Sequence, residues 1–160
     1  MLPADLRSAE AEALAAVQAA LQLCQRRLEA NGGLDPVALL RDALLQRILD
    51  LPGVELSGPN PSDANQPQRL PHHLSVVVQD CNGGWLQGRR LVQALWREGF
   101  ACSSGSACSS GQGGVSPVLT AMGYASGPAG AGLRISLGPW HGSELLDQLP
   151  PALERARAAL

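Results

Sequence analysis

Leu74-Ser75-Val76-Val77-Val78 is a compact apolar run that contains three consecutive valines. A short run that is apolar at almost every position is typical of a strand covered on both faces, and it is too short for an independent helix. The run therefore predicts a buried strand, around which the rest of the chain is arranged.

Further strands are indicated on both sides of this run. They are predicted at residues 54–56, 100–102 and 133–137. In the last of these, apolar and polar residues alternate, which places Arg134 on the opposite face from Leu133 and Leu137.

The segments between the predicted strands space their apolar residues at intervals of three and four, as helices do. Helices are predicted at residues 5–30, 35–49, 85–98, 116–122 and 144–160, and a loop at residues 124–130. Asn31-Gly32-Gly33 is expected to end the first helix, and Ser143 to cap the last. Pro150 and Pro151 are expected to kink the last helix or to begin a new first turn within it.

The order of these elements predicts the fold class. Strands interleaved with helices on a small sheet favour an α/β fold, built as a two-layer α/β sandwich. The length of 160 residues suits one domain, and no internal repeat is visible. We expect residues 1–160 to form a single domain, with long helices over residues 1–50 and a small α/β region over residues 51–160.

The composition excludes several classes of function. Hydrophobic residues make up 45% and charged residues 16% of the chain, which is typical of a globular protein. The net charge is −2, and scattered basic residues indicate neither nucleic-acid nor membrane binding. With no signal peptide and no membrane-length apolar run, a cytoplasmic location is expected. Cysteines 24, 81, 102 and 108 are expected to be free thiols, with neither disulfides nor zinc.

The chain contains no lysine, because all twelve of its basic residues are arginines. A side-chain amine is the nucleophile that anchors pyridoxal phosphate as a Schiff base. This chain therefore cannot bind that cofactor covalently on its own.

A segment of small residues, 103–114, contains Cys108 and almost no apolar side chain. Such a segment cannot bury apolar area, so it is expected to be a mobile, exposed loop with an accessible thiol. A mobile thiol suits a reaction in which sulfur is collected at one place and delivered at another. The alternative, which composition alone leaves open, is a flexible loop with an incidental cysteine.

The stretch SSGSACSSG at residues 103–111 resembles the active-site cysteine loop of the NifS/IscS-type cysteine desulfurases, in the class V aminotransferase family. That family continues with S-x-V-L-x-A-M/L-G, to which SPVLTAMG at residues 116–123 is similar. Its motif L-R-[FI]-S-L-G is matched by LRISLG at residues 133–138. Arg69-Leu70-Pro71, before the valine-rich strand, is a further similarity. The resemblance extends from about residue 51 to residue 160.

The resemblance implies a fold and two residue roles. The fold is the small C-terminal domain of the PLP-dependent transferases (aspartate aminotransferase-like), with residues 1–50 similar to the family's long interdomain helices. Cys108 would be the nucleophile that takes sulfur from L-cysteine as a persulfide, for iron-sulfur cluster assembly or other sulfur transfer to an acceptor protein. Arg134 would grip the substrate α-carboxylate with its planar guanidinium. The alternative for Arg134 is a surface ion pair.

The remaining cysteines and the histidines are interpreted as structural. Cys102 is expected in the core, and Cys24 and Cys81 are also assigned structural positions. The pair His72-His73 is interpreted as part of a surface turn, and His141 as a solvent-facing residue near a helix start. A metal site made of Cys102, Cys108 and a histidine is the weakest hypothesis, because the loop would have to fold around the ion.

No counterpart of the family's large domain occurs in this sequence. The resemblance assigns to that domain the cofactor lysine, a ring-stacking histidine, an aspartate for the ring nitrogen and the phosphate cradle. It therefore implies pyridoxal phosphate in the complete enzyme, and a chain that is inactive alone because half of the site is missing.

Three origins of such a chain remain open. It is a truncated piece of a complete desulfurase, one half of a split enzyme, or a remnant that acts as a stand-alone persulfide acceptor or interaction module. In the split case the large PLP domain, or a full-length partner subunit, is a separate polypeptide. The abrupt start of the first helix favours the first origin.

Overall fold

The computed structural model describes residues 4–65, 69–105 and 114–160, and of residues 4–9 it describes the backbone alone. The chain divides into two compact units, Met1–Pro36 and Val37–Leu160. The expectation that residues 1–160 form a single domain stays a prediction.

The first unit contains the helix α1 (Ala4–Ala30). Gly32 and Gly33 follow it with φ angles of +65° and +85°, in the left-handed region that glycine adopts without strain. The amide of Gly33 donates to the carbonyl of Leu28 at 2.7 Å, which pairs one of the last helical carbonyls. The predicted end of this helix is therefore confirmed.

The second unit combines three strands with five helices in the described part of the chain. In chain order these are α2 (Val37–Leu49), β1 (Val54–Leu56), β2 (His73–Val78), α3 (Gly88–Arg97), α4 (Pro117–Ala121), α5 (Ser126–Gly130), β3 (Gly132–Ser136) and α6 (Glu144–Ala158). The strands form one antiparallel sheet in the order β1-β2-β3. Val54 pairs with Val78, and Ser75 pairs with Arg134.

The valine-rich strand β2 is the middle of this sheet and is covered on both faces at its C-terminal end. One face of the sheet packs into a core with α2, α3 and α6. The sheet residues of this core are Leu74, Val76 and Val78 of β2 and Leu133 and Ile135 of β3. On the other face, Val77 packs with residues of α4 and α5. The predicted buried strand is therefore confirmed. The N-terminal half of β2 carries polar side chains on that second face.

Two predicted elements are wrong. Residues 100–102 form no strand, because the amide of Phe100 donates to the carbonyl of Leu95 and closes the end of α3. The sheet contact comes one residue later, at an isolated bridge between Ser103 and Arg134. Residues 126–130 form the helix α5 instead of a loop, and Gly127 lies against the indole of Trp85 where a larger side chain would collide.

α6 runs through Pro150 and Pro151 as one helix, so the expectation of a new first turn there is wrong. Pro150 has no amide hydrogen for the carbonyl of Leu146. Arg47 of α2 donates to that carbonyl at 3.2 Å and to the Asp147 carboxylate at 2.6 Å, which pairs the group that the proline leaves open. Ser143 occupies the N-cap position, but its side chain makes no capping hydrogen bond.

No helix in the described ranges combines the length and the apolar character that a membrane span requires.

Candidate functional site

A cavity of about 340 Å³ opens on the face of the sheet that points away from the main core. Its lining includes Arg69, His73, Ser75, Gly105 and Arg134. Alternate residues of a strand point to opposite faces, so Leu133 and Ile135 enter the core while Arg134 between them faces the cavity. The predicted orientation of Arg134 is therefore confirmed.

Arg69 is held at the cavity wall by its hydrogen bonds. Its guanidinium donates to the carbonyl of Ser57 at 2.6 Å and to that of Pro59 at 2.9 and 3.1 Å. Its Nη1 lies 3.2 Å from Nδ1 of His73. Burial, and secondarily the charge of Arg41, lowers the pKa of Arg69 from its ordinary value, which still leaves a positive charge at neutral pH.

The loop around Arg69 depends on a glycine. Gly58 has a φ of +84°, and a Cβ at this position would lie 3.1 Å from Nη2 of Arg69. This conformation lets the carbonyls on both sides of Gly58 converge on one guanidinium. The amide of Gly58 donates to the hydroxyl of Tyr124 at 3.2 Å, which anchors the loop from its other side.

His73 is a half-buried residue at the start of β2, so its interpretation as part of a surface turn is wrong. Burial lowers the pKa of its imidazole, and the charges of Arg69 and Arg134 lower it further. His72 and Arg41 act in the same direction. The ring is therefore neutral at pH 7.

Arg134 connects the cavity to the beginning of the cysteine-bearing segment. Its backbone pairs with Ser103, and its Nη1 donates to the carbonyl of Gly105 at 3.1 Å. A guanidinium has five N–H donors, so this hydrogen bond leaves most of its donors for another acceptor. Within the described ranges Arg134 forms no ion pair, and its interpretation as a surface ion-pair residue finds no support there.

The charged side chains that line the cavity are all positive. Two arginines and a histidine line it, and no acidic side chain of the described residues does. The wall also includes the hydroxyls of Ser57 and Ser75, which lie 2.6 Å apart, and the apolar side chains of Val118, Leu119 and Met122. This arrangement favours a small anion, and a carboxylate matches the planar donors of Arg134.

A second cavity, of about 270 Å³, lies between the N-terminal end of α3 and the helix α5. Gly105 and Gly114 both line it, and these are the described residues on either side of residues 106–113. Gly105 also lines the first cavity. Cys108 itself lies outside the described residues, and so does most of the loop predicted at residues 103–114.

The three other cysteines differ in exposure. Cys102 packs against the main core, as expected, and burial raises the pKa of its thiol to about 11. Cys24 and Cys81 are exposed, on α1 and in the turn after β2, so their interpretation as structural residues is wrong.

Alkylation with iodoacetamide is expected to separate these thiols. At pH 7.5 Cys81 should react at least about tenfold faster than Cys102, because the thiolate is the nucleophile and a buried thiol with a raised pKa stays protonated. The rate at Cys102 should rise about tenfold per pH unit until the pH approaches about 11. Peptide mass spectrometry measures both rates, and equal rates at Cys102 and Cys81 would contradict the buried position.

The remaining histidines do not form a metal site with the described cysteines. His141 accepts a hydrogen bond from the amide of Gly138 at 2.8 Å through Nδ1, which closes the turn before α6. Among the described residues, no three His, Cys, Asp or Glu side chains are grouped so that they could hold a metal ion.

Comparison with known proteins identifies the family. No family model matches the chain. An IscS-like cysteine desulfurase of Mycobacterium tuberculosis is 35% identical over an alignment of 164 positions, which covers 97% of this chain and 38% of that protein. A cysteine desulfurase of Cereibacter sphaeroides is 36% identical over an alignment of 136 positions, which covers 82% of this chain and 32% of that protein.

A solved structure supports the same fold. The NifS-like protein of Rickettsia africae superimposes with a TM-score of 0.56 and 20% identity, over 75% of this chain and 28% of that one. The chain belongs to the NifS/IscS-type cysteine desulfurases of the class V aminotransferase family, and corresponds to the small C-terminal α/β domain of their PLP-dependent transferase fold. It spans about a third of the length of these two curated relatives.

Proposed function

We propose that this chain is the sulfur-accepting domain of a cysteine desulfurase. In this proposal the cavity receives the α-carboxylate of L-cysteine at Arg134, and Cys108 takes the sulfur as a persulfide. The observation that carries the proposal is the hydrogen bond from Arg134 to Gly105, three residues before Cys108. Through it, the anion-binding residue contacts the chain that leads into the nucleophile.

The sulfur-transfer step balances without an external oxidant. The sulfur of Cys108 forms a bond to the sulfur of L-cysteine, while the Cβ–S bond of L-cysteine breaks. The electron pair of the broken bond stays on carbon, which is protonated and becomes the methyl group of alanine. Cys108 is left as a persulfide, which an acceptor protein removes for iron-sulfur cluster assembly or another sulfur-transfer pathway.

Pyridoxal phosphate does not fit this chain as a covalently held group, because the chain has no side-chain amine. The proposal therefore places the cofactor in the large domain, on the same polypeptide or on a partner subunit in the cytoplasm. The contribution of this chain is to hold the carboxylate and to supply the thiol. Alone it turns over no L-cysteine.

A chimera tests this assignment. The chain replaces the corresponding C-terminal part of the Mycobacterium tuberculosis relative, with which it aligns over 97% of its length. Sulfide release from L-cysteine is then compared between the chain alone and the chimera, with pyridoxal phosphate and with dithiothreitol, which reduces the persulfide and releases its outer sulfur as sulfide. We expect no turnover by the chain and measurable turnover by the chimera. A well-folded chimera that releases no sulfide would contradict the proposal.

The absence of lysine also favours a second function, that of a stand-alone persulfide acceptor. In that case the isolated chain gains about 32 Da at Cys108 from a persulfide donor protein, with no effect of added pyridoxal phosphate, and the chimera stays inactive. Mass spectrometry of the intact chain and of its Cys108→Ser variant distinguishes the two functions.

A further inference from the structure

The position of His73 places it beside the carboxylate-binding arginine. Ser75 pairs directly with Arg134 across the sheet, and His73 is the next residue of β2 on the same face. Diagonal neighbours on an antiparallel pair have Cα atoms about 7–8 Å apart, which long side chains bridge. The imidazole of His73 and the guanidinium of Arg134 therefore border one cavity.

The hydrogen bond to Arg69 determines which nitrogen of His73 carries the proton. A guanidinium can only donate, so Nδ1 of His73 must accept at the 3.2 Å contact. A neutral imidazole has one donor and one acceptor, so its proton resides on Nε2. The two nitrogens lie on opposite sides of the ring, and Nε2–H therefore points away from Arg69.

Arg69 is itself too constrained to serve as a free anion-binding residue. Its Nε and Nη2 donate to the carbonyls of Ser57 and Pro59, and its Nη1 contacts His73. A substrate anion that bound Arg69 would have to displace these contacts. Its charge and its fork of donors instead hold the imidazole in one tautomer and one orientation.

We propose that the carboxylate site of this cavity has two contacting residues and one positioning residue. Arg134 and the Nε2–H of His73 contact the carboxylate, and Arg69 positions His73. This inference rests on the proposed function, in which the cavity receives the substrate carboxylate. The Nε2–H of His73 adds a neutral hydrogen-bond donor to the charged guanidinium of Arg134, so the two oxygens of a planar carboxylate are bound from two sides.

The test uses the ¹⁵N-labelled chain and L-alanine as probe, because L-alanine has the α-carboxylate of L-cysteine and no thiol. L-alaninamide, which lacks the carboxylate, is the matched control ligand. Long-range ¹H–¹⁵N spectra of the imidazoles report the tautomer and the hydrogen bonding of each nitrogen. We expect His73 to show the Nε2–H tautomer, and L-alanine, unlike L-alaninamide, to shift both His73 Nε2 and Arg134 Nε.

Variants of His73 distinguish the effect of losing its N–H donor from the effect of changing the packing of its ring. His73→Phe keeps a ring and removes the N–H, and it should weaken L-alanine binding about tenfold, as expected for a hydrogen bond to a charged group. His73→Gln keeps an amide donor and should restore most of the affinity. The same change at the neighbouring residue, His72→Gln, should leave the affinity within about twofold, because His72 does not line the cavity.

The role of Arg69 has its own readout. Arg69→Met keeps a long unbranched side chain and removes every N–H donor, so the signal of the Nδ1–H tautomer of His73 should appear. An unchanged tautomer in a folded Arg69→Met variant would overturn the positioning role. If L-alanine shifts Arg134 and leaves His73 unshifted, the two-residue site is wrong while the proposed function stands. If L-alanine shifts neither residue, the carboxylate site of the proposed function fails as well.

Discussion

Cys108→Ser in the chimera is expected to lower the rate of sulfide release from L-cysteine by at least about 10³-fold, the scale on which enzymes lose activity with their nucleophile. A serine hydroxyl cannot accept sulfur as a persulfide, so the variant has no acceptor for the sulfur of L-cysteine at this position. The measurement is kcat for sulfide under saturating L-cysteine and pyridoxal phosphate, with dithiothreitol as the reductant of the persulfide. KM should change little, because the carboxylate is held elsewhere.

The matched control for this prediction is Cys102→Ala, six residues earlier in the same region. Cys102 packs against the core, and a thiol pKa of about 11 leaves roughly one molecule in a thousand as thiolate at pH 8. Cys102 therefore cannot replace Cys108, and its loss should change kcat by less than about threefold. Comparable losses in the two variants would reject Cys108 as the specific nucleophile.

Leu45→Ala is expected to lower the free energy of unfolding by about 3 kcal/mol, because it opens a cavity in the core that α2 shares with the sheet. The side chain of Leu45 is 1% exposed, and it belongs to the same core as β2 and α6. Denaturant unfolding followed by circular dichroism measures the change.

The control for this second prediction lies on the same helix. Leu39 is 76% exposed, so Leu39→Ala keeps the helix propensity of the first variant without removing a core side chain. Its effect should stay within about 0.5 kcal/mol. If the two variants lose the same stability, α2 is not a part of the core, and its helical sequence would have to be assigned to a different packing partner.

Residues 35–49 show how far a helical pattern is informative. Their apolar spacing correctly predicts a helix, and it also indicates which side chains are buried. The pattern does not indicate what the buried side of the helix packs against, and in the structure α2 packs with β1 and α6 inside the second unit. An amphipathic pattern states that a helix has a partner, and it does not state which one.

The candidate site divides in the same way. The orientation of Arg134 is predicted by the strict alternation along β3. The role proposed for Cys108 is predicted by a motif of contiguous residues. The contact between Arg69 and His73 had no such signal. The two residues lie four positions apart in a segment that is not helical, and no spacing rule predicts that their side chains meet there.

The local sequence was sufficient to predict the buried strand, most of the helices and the family, and to exclude a covalently bound cofactor. Each depends on residue type or on short-range spacing, and the lack of lysine is a property of composition alone. Tertiary structure decided the rest. It turned the amide of Phe100 towards α3 instead of the sheet, placed Val77 under α4 and α5, and joined Arg69, His73 and Arg134 around one cavity. These outcomes depend on which distant surfaces meet, and packing free energy rather than local preference selects among them.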